Sequence, residues 1–189
     1  MEKVLIVSGG EKSQTNLAEL LRACGYPAAS AVRSGGDARR LLLEFSFELV
    51  VVNAPLTDEF GSDLAVTIAE QTAAGVILLV KTEQAPGVAA QVEDAGVFVA
   101  EKPIGRQIFY QTVKLVAAAR RRMLGLKNEN IQLRRKIEEI RLVDRAKCVL
   151  IQTLNMTEPQ AHRYIEKQAM DMQRTRRDIA EGILKTYET

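Results

Sequence analysis

Few side chains in this sequence have types and spacings that could do covalent chemistry. The only histidine, His162, has no second His or Cys at metal-ligand spacing. Neither a zinc site nor a Ser-His-Asp set can be assembled around it. The segment Ser8-Gly9-Gly10-Glu11-Lys12-Ser13 follows an apolar run and places glycines ahead of Lys-Ser, as a phosphate-binding loop does. The full pattern is G-x-x-x-x-G-K-[ST]. Here the first Gly is missing, and Glu11 would set a carboxylate in the phosphate cradle. The segment therefore reads as a turn followed by a helix N-cap. Cys24 and Cys148 lie far apart in the chain, which fits two reduced thiols rather than a disulfide framework. These residues predict no enzyme, no metal and no cofactor.

Charge is the stronger signal. The formal net charge is only +2 over 189 residues, but it is split. Residues 1–119 carry 10 Lys+Arg against 14 Asp+Glu, and residues 120–189 carry 16 against 10. An acidic front and a basic back point to two modules, the second with a polyanion as partner. A solvated helical surface rich in Lys, Arg and Glu is the alternative reading of the same residues. With 47% hydrophobic and 26% charged residues, the composition is that of a globular chain. No apolar run approaches the roughly 18–20 residues of a membrane span. The opening Val4-Leu5-Ile6-Val7 run breaks at Ser8-Gly9-Gly10, too early for a secretory segment, so a cytoplasmic protein is expected.

Stepping along the chain, near-continuous apolar runs stand at Val4-Leu5-Ile6-Val7, Glu48-Leu49-Val50-Val51-Val52, Gly75 to Val80 and Gly96 to Ala100. A weaker run lies at Ala28 to Val32. Runs without polar alternation fit strands covered on both faces, as in a parallel sheet. Between them, apolar residues recur at helical spacing: Leu17, Leu20 and Leu21; Ala38, Leu41, Leu42 and Phe45; Leu64, Ile68 and Ala69; Val88, Val92 and Ala95. Five strands alternating with helices predict an α/β fold with a doubly wound, five-stranded parallel sheet. Ligands on such folds sit at the carboxyl ends of the strands.

Those ends resemble the receiver domain of bacterial response regulators over about residues 1–122. The resemblance rests on Val4-Leu5-Ile6-Val7, on Asn53-x-x-Leu56 with Gly61, and on Glu101-Lys102-Pro103. It implies Mg²⁺ held by an acidic pair after the first strand, a phosphoacceptor Asp after the third, a Ser or Thr after the fourth and a switch lysine before Pro. In this chain Ser8-Gly9-Gly10 replaces the acidic pair. Asn53 occupies the phosphoacceptor position, and the hydroxyl position falls near Val80 or Lys81, with Thr82 displaced. Lys102 alone persists. An amide cannot act as the carboxylate nucleophile, and hard Mg²⁺ is left with few oxygen ligands. The expectation is a pseudo-receiver not phosphorylated at Asn53. The nearby acids Asp58, Glu59 and Asp63 are assigned to a loop and a helix start.

Beyond Pro103 the pattern is helical. Val116, Ala119, Met123, Leu126, Asn130, Leu133, Ile137 and Ile140 step three and four apart, as a coiled-coil seam does. The dimer seam expected is Met123, Leu126, Asn130, Leu133, Ile137 and Ile140, on a linker helix spanning residues 123–145. An Asn at an a position favours a parallel two-stranded register. Gly125 is expected to mark a bend. A lone amphipathic helix is the alternative, but Arg134, Arg135, Lys136 and Arg141 give it little apolar surface, and a homodimer is preferred.

A small all-α module of residues 146–189 follows. Leu154-Asn155-Met156 closes the long helix. Thr157-Glu158-Pro159-Gln160 and Thr175-Arg176-Arg177-Asp178 are two helix starts. Apolar faces are formed by Ala161, Tyr164, Ile165 and Ala169, and by Ile179, Ile183 and Leu184. Met170 and Met172 are read as core.

This segment resembles the ANTAR domain, the RNA-binding module of AmiR- and NasR-type antitermination regulators, over about residues 140–187. The residues that carry it are Ala146 to Leu150, Leu154 to Ala161, Tyr164-Ile165, Ala169-Met170-Asp171 and Arg174 to Ala180. Cys148 and His162-Arg163 depart from the usual residues. The order of pseudo-receiver, coiled coil and ANTAR module is itself a layout of that family. The resemblance implies binding of paired stem-loops in nascent mRNA so that a terminator hairpin does not form.

Candidate RNA contacts are Tyr164 for base stacking, Lys167, Gln168 and Thr175 for hydrogen bonds, and Arg174, Arg176 and Arg177 for phosphate at a helix start. Two further classes share these features. One is a DNA-binding response regulator that uses two short basic helices. The other is a signalling adaptor that binds a protein partner through the pseudo-receiver.

Overall fold

The computed structural model describes residues 3–187. The chain divides into two compact units, residues 1–125 and 126–189.

In the first unit the apolar runs become β1 (Val4–Ser8), β2 (Ala29–Val32), β3 (Leu49–Asn53), β4 (Gly75–Lys81) and β5 (Phe98–Lys102). They form one parallel sheet in the order β2-β1-β3-β4-β5. The three central strands are the longest uninterrupted apolar runs, and they are the ones covered on both faces. The helices are α1 (Glu11–Ala23), α2 (Gly35–Glu44), α3 (Ser62–Gln71), α4 (Ala85–Val92) and α5 (Arg106–Leu154).

The two-residue period of a strand sorts the core into two layers. Leu5, Val7, Val50 and Val52 pack with Ala38, Leu64, Ile68 and Val88 on one face. Val4, Ile6 and Val51 pack with Leu17, Leu21, Phe109, Val113 and Val116 on the other. Val116, which begins the heptad pattern, is thus a core residue of this unit. The strand order reverses between β1 and β3, so their carboxyl ends, Ser8 and Asn53, flank the switch point where such folds hold their sites.

Three details differ from the sequence expectation. β5 starts at Phe98 and runs to Lys102, because Gly96 sits at φ 78° after a 3-10 turn at Glu93–Ala95 and pairing begins at Phe98 opposite Ile77. α5 runs through Gly125 as uninterrupted helix. The roughly 1 kcal/mol helix penalty of one glycine is outweighed by the hydrogen bonds on either side. Met170 and Met172 are exposed, not core. The stripe that α6 (Glu158–Asp171) buries is Ala161, Ile165 and Ala169 at steps of four, and Met170 lies off that stripe while Met172 is the C-cap.

The loop between β3 and α3 is pinned to α2. The backbone N–H groups of Gly35 and Gly36, at the start of α2, donate to the two Asp58 carboxylate oxygens at 2.8 and 3.0 Å. Glu59 accepts from Arg39 at 2.5 and 3.0 Å. A Cβ at position 35 would displace the Glu59 carboxylate from this place. Those two backbone donors hold the Asp58 carboxyl below its ordinary value, as expected for an acid at a positive helix end.

The second unit contains the remainder of α5, then α6 and α7 (Arg176–Tyr187). Its core is Ala146, Val149, Leu150, Ala161, Ile165, Ala169, Ile179, Ala180, Ile183 and Leu184. α5 stops at Leu154 because Asn155 turns to φ 53°. α6 starts with a capping box in which the Thr157 N–H donates to Gln160 Oε1 at 2.8 Å. α7 starts with the same device: the Thr175 N–H donates to Asp178 Oδ2 at 3.1 Å, and the Asp178 N–H donates back to Thr175 Oγ1 at 3.1 Å. Lys147, with its side chain 16% exposed, bridges Asp144 at 2.8 Å and Glu158 at 2.9 Å and so ties α6 to α5. Among the described residues no buried side-chain nitrogen or oxygen lacks a partner, and no helix is long and apolar enough to cross a membrane.

Two predictions follow from this packing. Ile165→Ala should lower hydrogen-exchange protection of α6 and α7 by about 2–5 kcal/mol, and Thr157→Ala by about 0.5–2 kcal/mol. Both should leave β1, β3 and β4 unchanged by exchange mass spectrometry. For Asp58, the depressed carboxyl contributes stability above its unfolded pKa and loses it as pH falls through the lower folded value. Urea midpoints should therefore show wild type ahead of Asp58→Asn at neutral pH, with the gap shrinking once pH drops below the ordinary value of 3.8. A gap independent of pH would contradict the ionic cap.

Candidate functional site

Ser8, the last residue of β1, is fully buried and lies opposite Asn53 in the β1–β3 register. The Asn53 side-chain Nδ2 donates to Ser8 Oγ at 2.9 Å. From the end of β5, Lys102 Nζ donates to Asn53 Oδ1 at 2.8 Å and also to the Ala54 carbonyl. Gln14, on α1, donates from Nε2 to the Ser8 carbonyl at 2.7 Å and to the Val32 carbonyl at 3.0 Å. Thr82 Oγ1 donates to the Lys102 carbonyl at 3.3 Å. The carboxyl ends of β1, β2, β3 and β5 are thus joined by one run of hydrogen bonds. The Ala54-Pro55 and Lys102-Pro103 peptide bonds are cis.

The electrostatics of this pocket are those of a lysine without a carboxylate. Burial lowers the Lys102 pKa, and nearby Lys81 lowers it further. Three acids of the flanking segments are engaged elsewhere: Asp58 with Gly35 and Gly36, Glu59 with Arg39, and Glu11 with Arg33. The donor set at the switch point is a hydroxyl, an amide and an ammonium. That combination can hold an ordered polar network, but it offers neither an anionic nucleophile nor the carboxylate oxygens that a hard divalent cation takes. Among the described residues there is no group of three or more His, Cys, Asp or Glu that could hold a metal ion.

The structure brings Asn53 and Lys102 into direct contact. Sequence reasoning missed Gln14, and it placed Ser8 in a turn at the position of the acidic pair without a structural role. The available signal was Ser8 as the first polar residue of an otherwise apolar strand. Glu11 and Lys12 open α1 after the Gly10 N-cap, so the glycine segment is a helix start.

The basic residues form a second constellation. Tyr164, 38% exposed, Lys167 and half-buried Gln168 lie on successive turns of α6. Arg174, Thr175, Arg176 and Arg177 are exposed at and before the first turn of α7. Arg176 stands 3.9 Å from Glu166 on α6 and 3.6 Å from Glu139 on α5, which sets the start of α7 beside the middle of α6. His162 is 3.2 Å from Glu166. Arg177 pairs with Glu181 at 2.8 Å, which raises its pKa. The Thr175 hydroxyl donates to Asp178 at 2.7 Å, so it serves the helix cap.

Along α5, Met123, Leu126, Leu133, Ile137 and Ile140 are 51% to 58% exposed, and Asn130 is exposed with them. These residues form an apolar row without a cover in the single chain.

Both parts of the chain are similar to known proteins. Residues 132–184 match the ANTAR domain family, so the match begins upstream of the module expected from Ala146. The chain is 30% identical over 188 residues to the transcriptional regulatory protein PdtaR of Mycobacterium tuberculosis, covering 99% of this chain and 91% of that one. Among solved structures, the signal receiver domain of an HD domain-containing protein from Pseudomonas fluorescens Pf-5 superposes with a TM-score of 0.58 at 21% identity, covering 66% of this chain and 92% of that one. A response regulator receiver domain protein from Clostridium thermocellum superposes with a TM-score of 0.58 at 17% identity, covering 65% and 99%. At those identities the likeness is one of fold. Similarity to PdtaR along nearly the whole chain, with the ANTAR match, makes this protein a member of the ANTAR-domain transcriptional regulators, with a receiver-like domain as its first unit.

Proposed function

We propose that this regulator is a non-enzymatic, RNA-binding antiterminator that works in the cytoplasm. Its ANTAR module, residues 146–189, binds stem-loops of a nascent mRNA leader and keeps a terminator hairpin from forming. The observation that carries this reading is the ANTAR match over residues 132–184. The chemistry of the module supports it. Arg174, Arg176, Arg177 and Lys167 offer cations to phosphate, and Tyr164 and Gln168 offer a ring and an amide to unstacked loop bases.

The pseudo-receiver, residues 1–122, has lost the phosphoacceptor Asp. Asn53 stands at its position with Lys102 bound to it, so input comes through another route, such as a protein partner on this domain. The linker, residues 123–145, joins two copies as a parallel homodimer through Met123, Leu126, Asn130, Leu133, Ile137 and Ile140. The exposure of that apolar row supports the assignment.

Fluorescence anisotropy tests the reading. The full chain at stated salt is titrated with a two-hairpin RNA, the same RNA with scrambled loops, and a duplex DNA. Loop-dependent RNA binding is expected. Arg174→Ala combined with Arg176→Ala should weaken it and reduce the slope of log K against log salt by about 1.4–1.8, for two lost phosphate contacts. Preference for the duplex would favour a DNA-binding regulator. Equal weak binding to all three would leave only a basic surface and favour a protein-binding adaptor.

A further inference from the structure

The cations assigned to RNA on α7 are partly neutralised within the chain, whereas three cations on the linker stretch of α5 have no such partner. Arg176 faces Glu139 and Glu166, and Arg177 is paired with Glu181. In the linker stretch, Lys127, Arg134 and Arg141 are exposed and recur every seven residues. Relative to the apolar row they occupy the e position, directly beside the a residues Asn130 and Ile137. None of the three makes an ion pair or side-chain hydrogen bond to another described residue. At the facing g positions stand Glu129 and Lys136. Two acids of the same stretch are turned another way: Glu139 reaches Arg176, and the charge of Glu138 raises the Arg177 pKa. Glu138 and Glu139 thus lie toward α7, while a row of cations about 21 Å long, at ~1.5 Å per residue, borders the seam.

In a parallel pair each g residue faces the e residue five positions on in the other copy. Glu129 would meet the partner's Arg134 favourably, but Lys136 would meet the partner's Arg141 as a like charge, and Lys127 has no acid to meet. Dimerisation by a short seam is therefore opposed along its flanks, and a polyanion lying there removes the opposition. From these observations we infer that Lys127, Arg134 and Arg141 form a phosphate-binding ridge for RNA, separate from the loop-reading residues of α6 and α7, and that RNA binding and dimerisation strengthen each other through it. This inference rests on the RNA-binding reading above and names where the backbone of the same RNA is held. Linkage requires the coupling to run both ways.

The experiment compares full-length wild type, the triple variant Lys127→Gln/Arg134→Gln/Arg141→Gln, and the charge-keeping Arg134→Lys. Anisotropy at several salt concentrations uses the two-hairpin RNA with intact and scrambled loops. Sedimentation without RNA gives the dimer constant. In the triple variant the salt slope should fall by about 2–3 for both RNAs, for three phosphates, with the ratio between intact and scrambled loops kept. Its RNA-free dimer should be tighter than that of wild type, and added RNA should tighten it less. Arg134→Lys should match wild type throughout.

A wild-type salt slope in the triple variant would overturn the ridge while leaving loop recognition standing. If the slope holds and only the dimer tightens, the row repels across the seam without holding RNA, and an acidic protein partner becomes its occupant. Loss of loop preference in wild type itself would overturn the RNA reading and the ridge with it.

Discussion

The strand-end network of the first unit is centred on an amide. Asn53 stands between the buried Ser8 hydroxyl and the Lys102 ammonium, donating to the first and accepting from the second. A carboxylate at that position would have to accept from both Lys102 and the Ser8 hydroxyl, whereas the amide donates to Ser8. The amide serves both neighbours at once, and Lys102 spends its remaining capacity on the Ala54 carbonyl. Asp58 and Glu59, the acids of the following loop, are drawn to the start of α2 instead. Burying an ammonium beside a second lysine lowers its pKa, and the hydrogen bonds to Asn53 and Ala54 are what make that burial tolerable.

That closed edge sits at the base of α5, whose first turn begins four residues after Lys102. The same helix contributes Phe109, Val113 and Val116 to the core of the first unit and Ala146, Val149 and Leu150 to the core of the second. Between those segments it carries the exposed apolar row and the unpaired cations. Each unit keeps its own core, and the intervening helix surface, which neither core uses, carries the residues proposed for association and for phosphate.

Much of this was legible in the sequence because the signals were local or periodic. Unbroken Val, Leu and Ile runs located the central strands. Thr157 with Gln160, and Thr175 with Asp178, announced helix starts that the structure forms by backbone-to-side-chain hydrogen bonds. Asn53 and Lys102 stand out in the sequence as strand-end residues, and their direct contact comes from the folded sheet.

What stayed hidden depended on distance or on phase. Asp58 binds Gly35 and Gly36 across more than twenty residues, and no spacing rule connects a loop acid to a remote helix start. Gln14 reaches two strands at once because α1 packs over both. Met170 looked like core by type, but its helical phase turns it to the surface. Gly125 looked like a breaker, but one glycine does not interrupt a helix of 49 residues.

The central claim is that the receiver-like site is held together by a neutral amide and takes no phosphoryl group. Incubating the full chain with acetyl phosphate and Mg²⁺, then measuring intact mass under conditions that preserve acyl phosphates, tests it directly. The account predicts an unchanged mass for wild type. A stoichiometric phosphoryl adduct that Asp58→Asn or Asn53→Ala abolishes would contradict it.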